Sequence, residues 1–363
     1  MINCDYRYFV CIRCMTFNHA PYITDALNGF VKQETSFPYV AVIIDDASTD
    51  NNQEAIKEFF ETHFNTKEDV SWTKEDDYAQ YYYARHKENR NCYFVILFLK
   101  ENHFGDPTKV EHIKEWEDNS KYIALCEGDD YWTNPKKLQL QVDYMEKHEE
   151  CGLCYTDCDM YVEKSGKWIR RLSGGREVPI DGKNPLLQEN AGYRFNMTWL
   201  FRKRLFDSFN PNPGFLDGAM YLLCNFCLVS ALGYIPTITG VYRRHEGSAS
   251  CFRPNQRKEQ YLYKKSIFEL TKYFAPKFDT YEVILRRVYS EGLLNLLPYA
   301  FHFEDNQIIQ DFELFYKGSL DIHSYKKGLS DFKINCENNV RSSKSYKIGR
   351  AILSPLFWAK RIV

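Results

Sequence analysis

The stretch Tyr122–Trp132 reads YIALCEGDDYW. Its apolar beginning, residues 122–126, predicts a buried strand, and Glu127, Asp129 and Asp130 follow where that strand ends. Three carboxylates within four residues repel one another, so folding alone does not favour this arrangement. A divalent cation would remove the repulsion, and carboxylate oxygens suit Mg²⁺ or Mn²⁺. A solvated acidic turn is the simpler interpretation, and the rest of the chain has to decide between the two.

Two earlier strands are also predicted to end in polar residues. The run over residues 9–15 is followed by Thr16 and Asn18, and the run over residues 39–44 is followed by an acidic pair that includes Asp46. Continuous apolar runs are typical of parallel strands that are covered on both faces. In open parallel sheets, ligands bind beyond the carboxyl ends of the strands. If these strands are neighbours, the three polar stretches meet in one crevice, which favours binding over a solvated turn.

Strands and helices alternate over the first 150 residues, which predicts an open, mostly parallel α/β sheet flanked by helices. Residues 63–91 are polar and rich in Tyr, and we expect them to be irregular or a peripheral insertion. The other predicted elements in this part are a strand over 93–99 and helices over 22–31, 50–62 (with Asp50 as N-cap), 109–118 and 135–148.

The pattern changes after residue 150. The short predicted strands cover 153–155, 160–162, 196–202 and 234–243, with a hairpin turn at 164–167 and an apolar helix over 219–232. Beyond about residue 254 the pattern is helical, and its best helices cover 261–274 and 281–297. We therefore expect a sheet-containing domain over 1–254, with halves of about 8–150 and 151–254, and a helical extension over 255–363.

The composition is that of an ordinary globular protein. The chain has 363 residues, 44% of them apolar and 26% charged, with a net charge of -2, which argues against a general nucleic-acid binder. It contains no apolar run of about 18 residues, as a membrane-spanning helix would need. No secretory signal pattern opens the chain, and its 12 Cys then fit a reducing compartment, so we expect a cytoplasmic protein. Three C-x-x-C spacings are interpreted as buried apolar Cys instead of zinc or redox sites.

The last part of the chain is basic. Residues 321–363 contain nine Lys or Arg and three Asp or Glu, a local charge of +6, and end in a short aromatic patch. Such a tail predicts either peripheral contact with the inner face of an anionic membrane or a solvated tail with a docked apolar end.

Taken together, these stretches resemble the family 2 glycosyltransferases, which are inverting enzymes of the GT-A fold. The resemblance covers about residues 8–250, and the order and spacing of the motifs make it specific. Two positions depart from the family pattern: Glu127 replaces the usual Asp, and Met15 replaces the usual Pro. The motifs that carry the resemblance are the strand ending in Met15-Thr16-Phe17-Asn18, Ile44 to Asp50, Glu127 to Trp132 followed by Pro135, Lys137-Leu138 and Gln141, Thr198 with Phe201-Arg202, Leu216-Asp217-Gly218, and Tyr242 to Ser248.

The resemblance implies a Rossmann-like nucleotide-sugar half and an acceptor half, with Mn²⁺ or Mg²⁺ as cofactor. Its donor would be a UDP- or GDP-linked sugar, and the sugar would be transferred to a glycan or a lipid-linked acceptor. Asp129 and Asp130 would hold the metal and ribose, and Glu127 is a weaker candidate. Asp46 would accept a hydrogen bond from a base N–H, beside Thr16 and Asn18.

The acceptor side is implied by residues later in the chain. Asp217 would be the general base that inversion requires, although an N-cap is the simpler role for an Asp before a helix. Arg243 and Arg244 would contact the diphosphate, and His245 the metal or a phosphate. Trp132 is predicted either as a stacking face for the acceptor or as core packing.

Two other functions remain open from the sequence. A nucleotidyltransferase would share the metal and diphosphate chemistry, but it usually has a Gly-rich basic loop after the first strand, and residues 16–21 contain no Gly, Lys or Arg. A non-catalytic nucleotide-sugar-binding protein is the second alternative. Retention of Asp46, Asp129, Asp130 and Asp217 argues against it.

Overall fold

The computed structural model describes residues 6–67, 71–103, 106–172, 186, 195–248, 256–284 and 289–318. The chain divides into two compact units, Met1–Pro254 and Asn255–Val363. The strands of the first unit are β1 (Tyr8–Thr16), β2 (Tyr39–Asp45), β3 (Trp72–Glu75), β4 (Ala79–Arg85), β5 (Cys92–Leu99), β6 (Ser120–Leu125), β7 (Tyr131–Trp132), β8 (Cys151–Val162), β9 (Lys167–Ile169), β10 (Trp199–Arg202) and β11 (Ala231–Arg244).

These strands form one mixed sheet in the order β3-β4-β5-β2-β1-β6-β10-β8-β11-β7, with β9 paired to β8. The four central strands β5, β2, β1 and β6 are parallel, and β10 joins them antiparallel to β6. Every residue of β2 is buried, as its continuous apolar sequence predicts for a strand covered on both faces. The carboxyl ends of β1, β2 and β6 therefore lie side by side.

Of the two predictions for residues 63–91, an irregular segment is wrong and a peripheral position is confirmed, since β3 and β4 lie at the edge of the sheet. This segment contains β3 and β4, which extend the sheet antiparallel to β5. In β4, Tyr81 and Tyr83 are buried while Gln80 is exposed, the period-two pattern of a half-covered strand. The many Tyr residues suggested an irregular segment. In the structure, Tyr81 and Tyr83 instead occupy the buried positions of this alternating pattern.

Helices pack on the sheet through apolar faces. In the helix over Lys137–Lys147, Leu138, Val142 and Met145 are buried, which confirms the predicted amphipathic face. The helices of the first unit are α1 (Ile23–Val31), α2 (Asn52–His63), α3 (Lys114–Asp118), α4 (Lys137–Lys147), α5 (Lys203–Phe206) and α6 (Gly218–Val229). Asn51 immediately precedes α2, and the predicted cap Asp50 makes the capping bond, since its Oδ1 accepts the Asn52 N–H at 2.9 Å.

The two short strands predicted over 153–162 are one strand, β8. It pairs in parallel with β11 along most of its length and antiparallel with β9 at its end. The predicted hairpin turn is confirmed, and Gly166 adopts a φ of 62°, a left-handed conformation that favours glycine.

The second unit is helical, with α7 (Arg257–Phe274), α8 (Tyr281–Ile284), α9 (Ser290–Phe303) and α10 (Asn306–Gly318). Side chains of α7, α9 and α10, among them Phe268, Leu296 and Phe312, form its core. No helix in the described ranges combines the length and apolar character needed to span a bilayer. The basic tail, and with it the predicted membrane contact, lies outside the described residues.

Candidate nucleotide-sugar site

The acidic turn after β6 is bonded directly to the end of β1. The Gly128 N–H donates to the Met15 carbonyl at 2.9 Å, and the Asp46 N–H donates to the Thr16 carbonyl at 3.0 Å. A Cβ atom on Gly128 would lie 2.5 Å from Thr16 Oγ1, so only glycine fits this close approach. The three polar stretches predicted to converge therefore meet at one edge of the sheet.

A group of three metal-ligating side chains lies at this edge. Asp129 Oδ2 is 3.0 Å from His245 Nε2 and 4.0 Å from His19 Nε2. One ligand atom from each residue lies within 4.8 Å of those of the other two. All three side chains are mostly buried, and we call them the His-Asp-His cluster. Each comes from a different part of the chain: the loop after β1, the acidic turn and the loop after β11.

The acidity of the two neighbouring carboxyls differs sharply. Burial by itself would raise the pKa of Asp129, but the hydrogen bond from His245 and the charge of His19 outweigh burial and lower the pKa. Burial, and then the charge of Asp129, raises the pKa of Asp130 well above its usual range. The same two causes raise the pKa of Glu127 to about 7. Asp129 is therefore the member of the acidic turn that most readily carries a negative charge.

The cluster has the donor set of a divalent metal site. Two imidazoles and one carboxylate suit a first-row transition ion such as Mn²⁺ better than Mg²⁺, which prefers oxygen ligands alone. His19 Nδ1 is buried without a hydrogen-bond partner among the described residues. His245 Nδ1 accepts the Gly247 N–H at 3.1 Å, which places the ring proton on Nε2, facing Asp129. Coordination through Nε2 would move this proton to Nδ1 and break the bond to Gly247.

Arg243 fastens β11 to the acidic turn instead of pointing into open space. Its N–H donates to Asp130 Oδ1 at 2.8 Å, and its guanidinium donates to the Asp129 carbonyl at 3.1 Å and to Asp25 Oδ2 at 2.7 Å. The guanidinium also lies over the rings of Tyr22 and Tyr131. Arg243 was predicted to contact the diphosphate and Asp130 the metal. In the described structure, both residues position the acidic turn. Neighbouring Arg244 is exposed.

Asp46 is held by the segment that follows β5. Its Oδ1 accepts the His103 N–H and its Oδ2 the Lys109 ammonium, both at 2.7 Å. Each carboxylate oxygen has a second lone pair, so a further N–H can still bind once a ligand reaches this mostly buried group. The position and chemistry of Asp46 are thus compatible with the predicted base contact.

The two polar residues after β1 have structural partners. Thr16 is buried, and its Oγ1 accepts the Asn52 amide at 3.1 Å. Asn18 has a φ of 56° and accepts the Thr49 N–H at 2.8 Å, which ties the loop after β1 to the loop after β2. Both residues therefore shape the edge of the site.

Asp217 caps α6, since its Oδ1 accepts the Met220 N–H at 2.8 Å. The structure thus shows the simpler of its two predicted roles, and the catalytic role stays a prediction. Trp132 is only 4% exposed, packs on Phe30 and donates from Nε1 to the Met197 carbonyl. Burial of Trp132 contradicts its predicted role as an acceptor face and places it in the core.

Sequence reasoning missed His19 and Lys109. His19 lies in the turn after β1, three residues beyond Thr16, and its position at a carboxyl strand end was the available signal. Lys109 lies 63 residues from Asp46, and no local pattern links the two. Only the fold brings that pair together.

The chain has relatives among known protein sequences. No protein-family model matches the chain. Uncharacterised proteins of Mycobacterium tuberculosis (strain H37Rv) and Mycobacterium bovis are each 28% identical over 236 residues, which is 64% of this chain and 57% of theirs. The chain thus spans a little over half the length of these relatives.

Two solved structures are similar to the chain. The crystal structure of S. aureus TarS in complex with UDP-GlcNAc has a TM-score of 0.50 and 16% identity, covering 89% of this chain and 80% of that one. The mannosyltransferase PcManGT from Pyrobaculum calidifontis, in complex with GDP-Man and Mn²⁺, has a TM-score of 0.47 and 12% identity, covering 92% and 88%. This chain therefore shares with TarS a mixed α/β fold in which helices flank a central mixed sheet.

Proposed function

We propose that the chain is an inverting glycosyltransferase that moves a sugar from a UDP- or GDP-linked donor to a glycan or lipid-linked acceptor. The observation that carries this proposal is the His-Asp-His cluster, placed beside Asp46 at the carboxyl edge of the parallel strands. Ligands of such sheets bind at this edge. The fold shared with TarS, a protein crystallised with UDP-GlcNAc, agrees with a nucleotide-sugar donor.

On the donor side, the nucleotide sugar would bind between two parts of the first unit. These are the first 150 residues and the loop after β11. Asp46 accepts an N–H of the base, with Lys109 and His103 fixing the carboxylate in place. His19, Asp129 and His245 would hold a divalent ion, which would supply a Lewis acid for the negative charge that develops on the leaving diphosphate. Arg243 and Asp130 keep the acidic turn in position.

On the acceptor side, inversion needs one displacement and one group that removes the proton of the attacking hydroxyl. Asp217 is the proposed base. Its Oδ1 accepts the Met220 N–H, and the carboxylate would take the proton of the attacking hydroxyl. The acceptor half would then correspond to about residues 151–254.

The experiment is a thermal-shift screen of nucleotide sugars with the full chain, in Mn²⁺ and in EDTA. We expect UDP- or GDP-linked sugars to stabilise the wild type in Mn²⁺ only, because a ligand that binds the folded state raises its unfolding temperature. Asp129→Ala should abolish the shift, whereas Asp143→Ala, an exposed acid on α4, should keep it. A wild type that shows no metal-dependent nucleotide effect would contradict the proposal.

A second measurement separates an enzyme from a binding protein. Slow hydrolysis of the bound nucleotide sugar in Mn²⁺ to free sugar and nucleoside diphosphate would support a transferase active site that uses water in place of its acceptor. Binding without any hydrolysis or transfer would instead support the non-catalytic alternative.

A further inference from the structure

The hairpin of β8 and β9 carries an aromatic pair, of which Trp168 is exposed and Tyr161 half-buried. Tyr161 and Trp168 are partners across the two strands, with ring centroids 4.9 Å apart and an interplanar angle of 38°. Trp168 is 39% exposed, whereas a Trp in a soluble protein is highly buried on average. The function proposed above uses neither residue.

A buried acid fixes a cation against this pair. Arg170 Cζ lies 4.3 Å from the centroid of the Trp168 ring. Its NH1 lies 2.5 Å from Oδ2 of the buried Asp159, whose Oδ1 accepts the Arg171 N–H at 2.8 Å. The Arg170 side chain is nevertheless 66% exposed, so the guanidinium is held in place while it faces solvent.

The hairpin surface is positively charged overall. Residues 163–171 contain four Lys or Arg and one Glu, a local charge of +3. The acids that pair with Arg170 and Arg171, namely Asp159 and Asp157, are buried beneath the surface. Lys164 pairs with the exposed Glu246 at 3.5 Å, so solvent and ligands meet four cations and two acids, Glu163 and Glu246, together with the exposed indole.

The aromatic pair shares a sheet face with the candidate site. In the parallel register of β11 and β8, Arg243 is the partner of Tyr161, which is in turn the partner of Trp168. Partners across neighbouring strands point to the same face, about 4.8 Å apart per strand, so the Cα atom of Trp168 lies roughly 10 Å from that of Arg243. Arg243 contacts Asp129, and the Tyr22 hydroxyl, beside His245, donates to Glu163 at 2.9 Å.

We propose that Tyr161, Trp168 and Arg170 form an acceptor subsite for an acidic glycan. A sugar ring packs its apolar face against the exposed part of the Trp168 ring that Arg170 and Tyr161 leave open, and a carboxylate or phosphate group on the same chain binds Arg170. Charge complementarity selects an acidic chain over a neutral one. This inference rests on the proposed transferase function, because it names the acceptor class of the same site.

The test measures binding of the full chain to immobilised oligosaccharides that are neutral, carboxylate-bearing or phosphate-bearing. We expect the wild type to bind acidic chains in preference to neutral ones, and increasing salt to weaken this binding. Trp168→Ala should weaken it about tenfold or more and Trp168→Phe much less, since loss of an aromatic contact is expected to cost at least one tenfold step in affinity. Arg170→Gln should remove the preference for acidic chains. The carboxylate and phosphate arms identify which anion is recognised.

Two matched variants control for general effects of exposed apolar residues. Ile169→Ala alters a neighbour of similar exposure, 37%, on the opposite face of the hairpin. Trp72→Ala removes a Trp that is 38% exposed on β3. Both should bind acidic glycans as the wild type does.

The outcomes separate this inference from the proposed function. If the wild type shows the Mn²⁺-dependent nucleotide shift but binds no acidic glycan, or binds it equally well in Trp168→Ala, the subsite is overturned while the transferase proposal stands. If glycan binding depends on Trp168 but no nucleotide shift occurs, the subsite is sustained as a glycan-binding surface and the transferase proposal fails.

Discussion

His245 Nε2 donates to Asp129 Oδ2 at 3.0 Å, although 116 residues separate the two in the chain. The contact joins the loop after β11 to the turn after β6, and Arg243, at the end of β11, makes two further bonds to the same turn. Residues from the end of the first unit and residues that follow its early strands therefore form the candidate site together.

The first prediction concerns the coupling of this pair. We expect His245→Gln to raise the Mn²⁺ concentration that gives half of the nucleotide-dependent thermal shift, because one ligand of the cluster is lost. Residues that bind one ion act as a unit, so the effects of His245→Gln and Asp129→Asn should not add. His148→Gln, which removes an exposed imidazole 3.1 Å from Glu150, is the control and should behave as the wild type. Additive effects would show that the two residues act independently.

The second prediction concerns the close approach at Gly128. In Gly128→Ala the new Cβ atom would lie 2.5 Å from Thr16 Oγ1 and 3.1 Å from His19 Nδ1, so the acidic turn has to shift. We expect a loss of about 1–3 kcal/mol in unfolding free energy and weaker Mn²⁺ binding. Gly218→Ala, whose nearest neighbour atom is 3.9 Å away, should change stability little. Unchanged Mn²⁺ binding in Gly128→Ala would show that the position of the acidic turn does not determine metal affinity.

The third prediction separates the two roles of Asp217. Asn is as good an N-cap as Asp, so Asp217→Asn should keep the stability of the wild type, while Asp217→Ala should lose ~1 kcal/mol. If Asp217 is the general base, both variants lower the transfer rate by ~10²–10⁴. Stability and rate are measured on the same samples. Near-normal turnover of Asp217→Asn would leave capping as its only role.

The fourth prediction concerns Lys137, whose Nζ is buried 4.2 Å from the centroid of the Trp132 ring and bonds to Gln141 Oε1. Burial lowers the pKa of Lys137 to about 7. The unfolded chain, with an ordinary Lys, therefore binds one more proton than the folded chain between about pH 7 and pH 10. This group thus makes stability rise with pH across that window, and its destabilising effect is greatest at and below pH 7.

Lys137→Met should remove this pH dependence and stabilise the protein most near pH 7. Denaturant midpoints at pH 7, 8 and 9 measure the effect, and Lys136→Met, on the exposed neighbour, should leave the slope unchanged. Parallel slopes for Lys137→Met and the wild type would show that Lys137 is not buried as described.

The sequence predicts the centre of this fold well because local patterns encode it. Continuous apolar runs mark β1, β2 and β5, and the polar residues after β1, β2 and β6 meet because parallel strands share an edge. Strand β8 was predicted in two pieces because Asp157 and Asp159 interrupt its apolar pattern. Ion pairs with Arg171 and Arg170 allow both carboxylates to be buried within the strand.

The site was predictable only in part. Asp129 and His245 were identified from motifs, but the roles of Trp132 and Arg243 depend on packing that local sequence does not encode. Trp132 is covered by Phe30 from α1, and Arg243 is held by Asp25, which lies 218 residues away. Tertiary contacts of this length decide whether a polar or aromatic side chain faces a ligand or its own protein.

The most direct test of the central claim is a calorimetric titration of Mn²⁺ into the full chain, in the presence of whichever of UDP and GDP stabilises it. We predict that the wild type binds the ion, that Asp129→Asn binds it at least about tenfold more weakly, equivalent to ~1.4 kcal/mol, and that Asp143→Asn binds it as the wild type does. Equal Mn²⁺ binding by the wild type and Asp129→Asn, or nucleotide binding that persists unchanged in EDTA, would contradict the account.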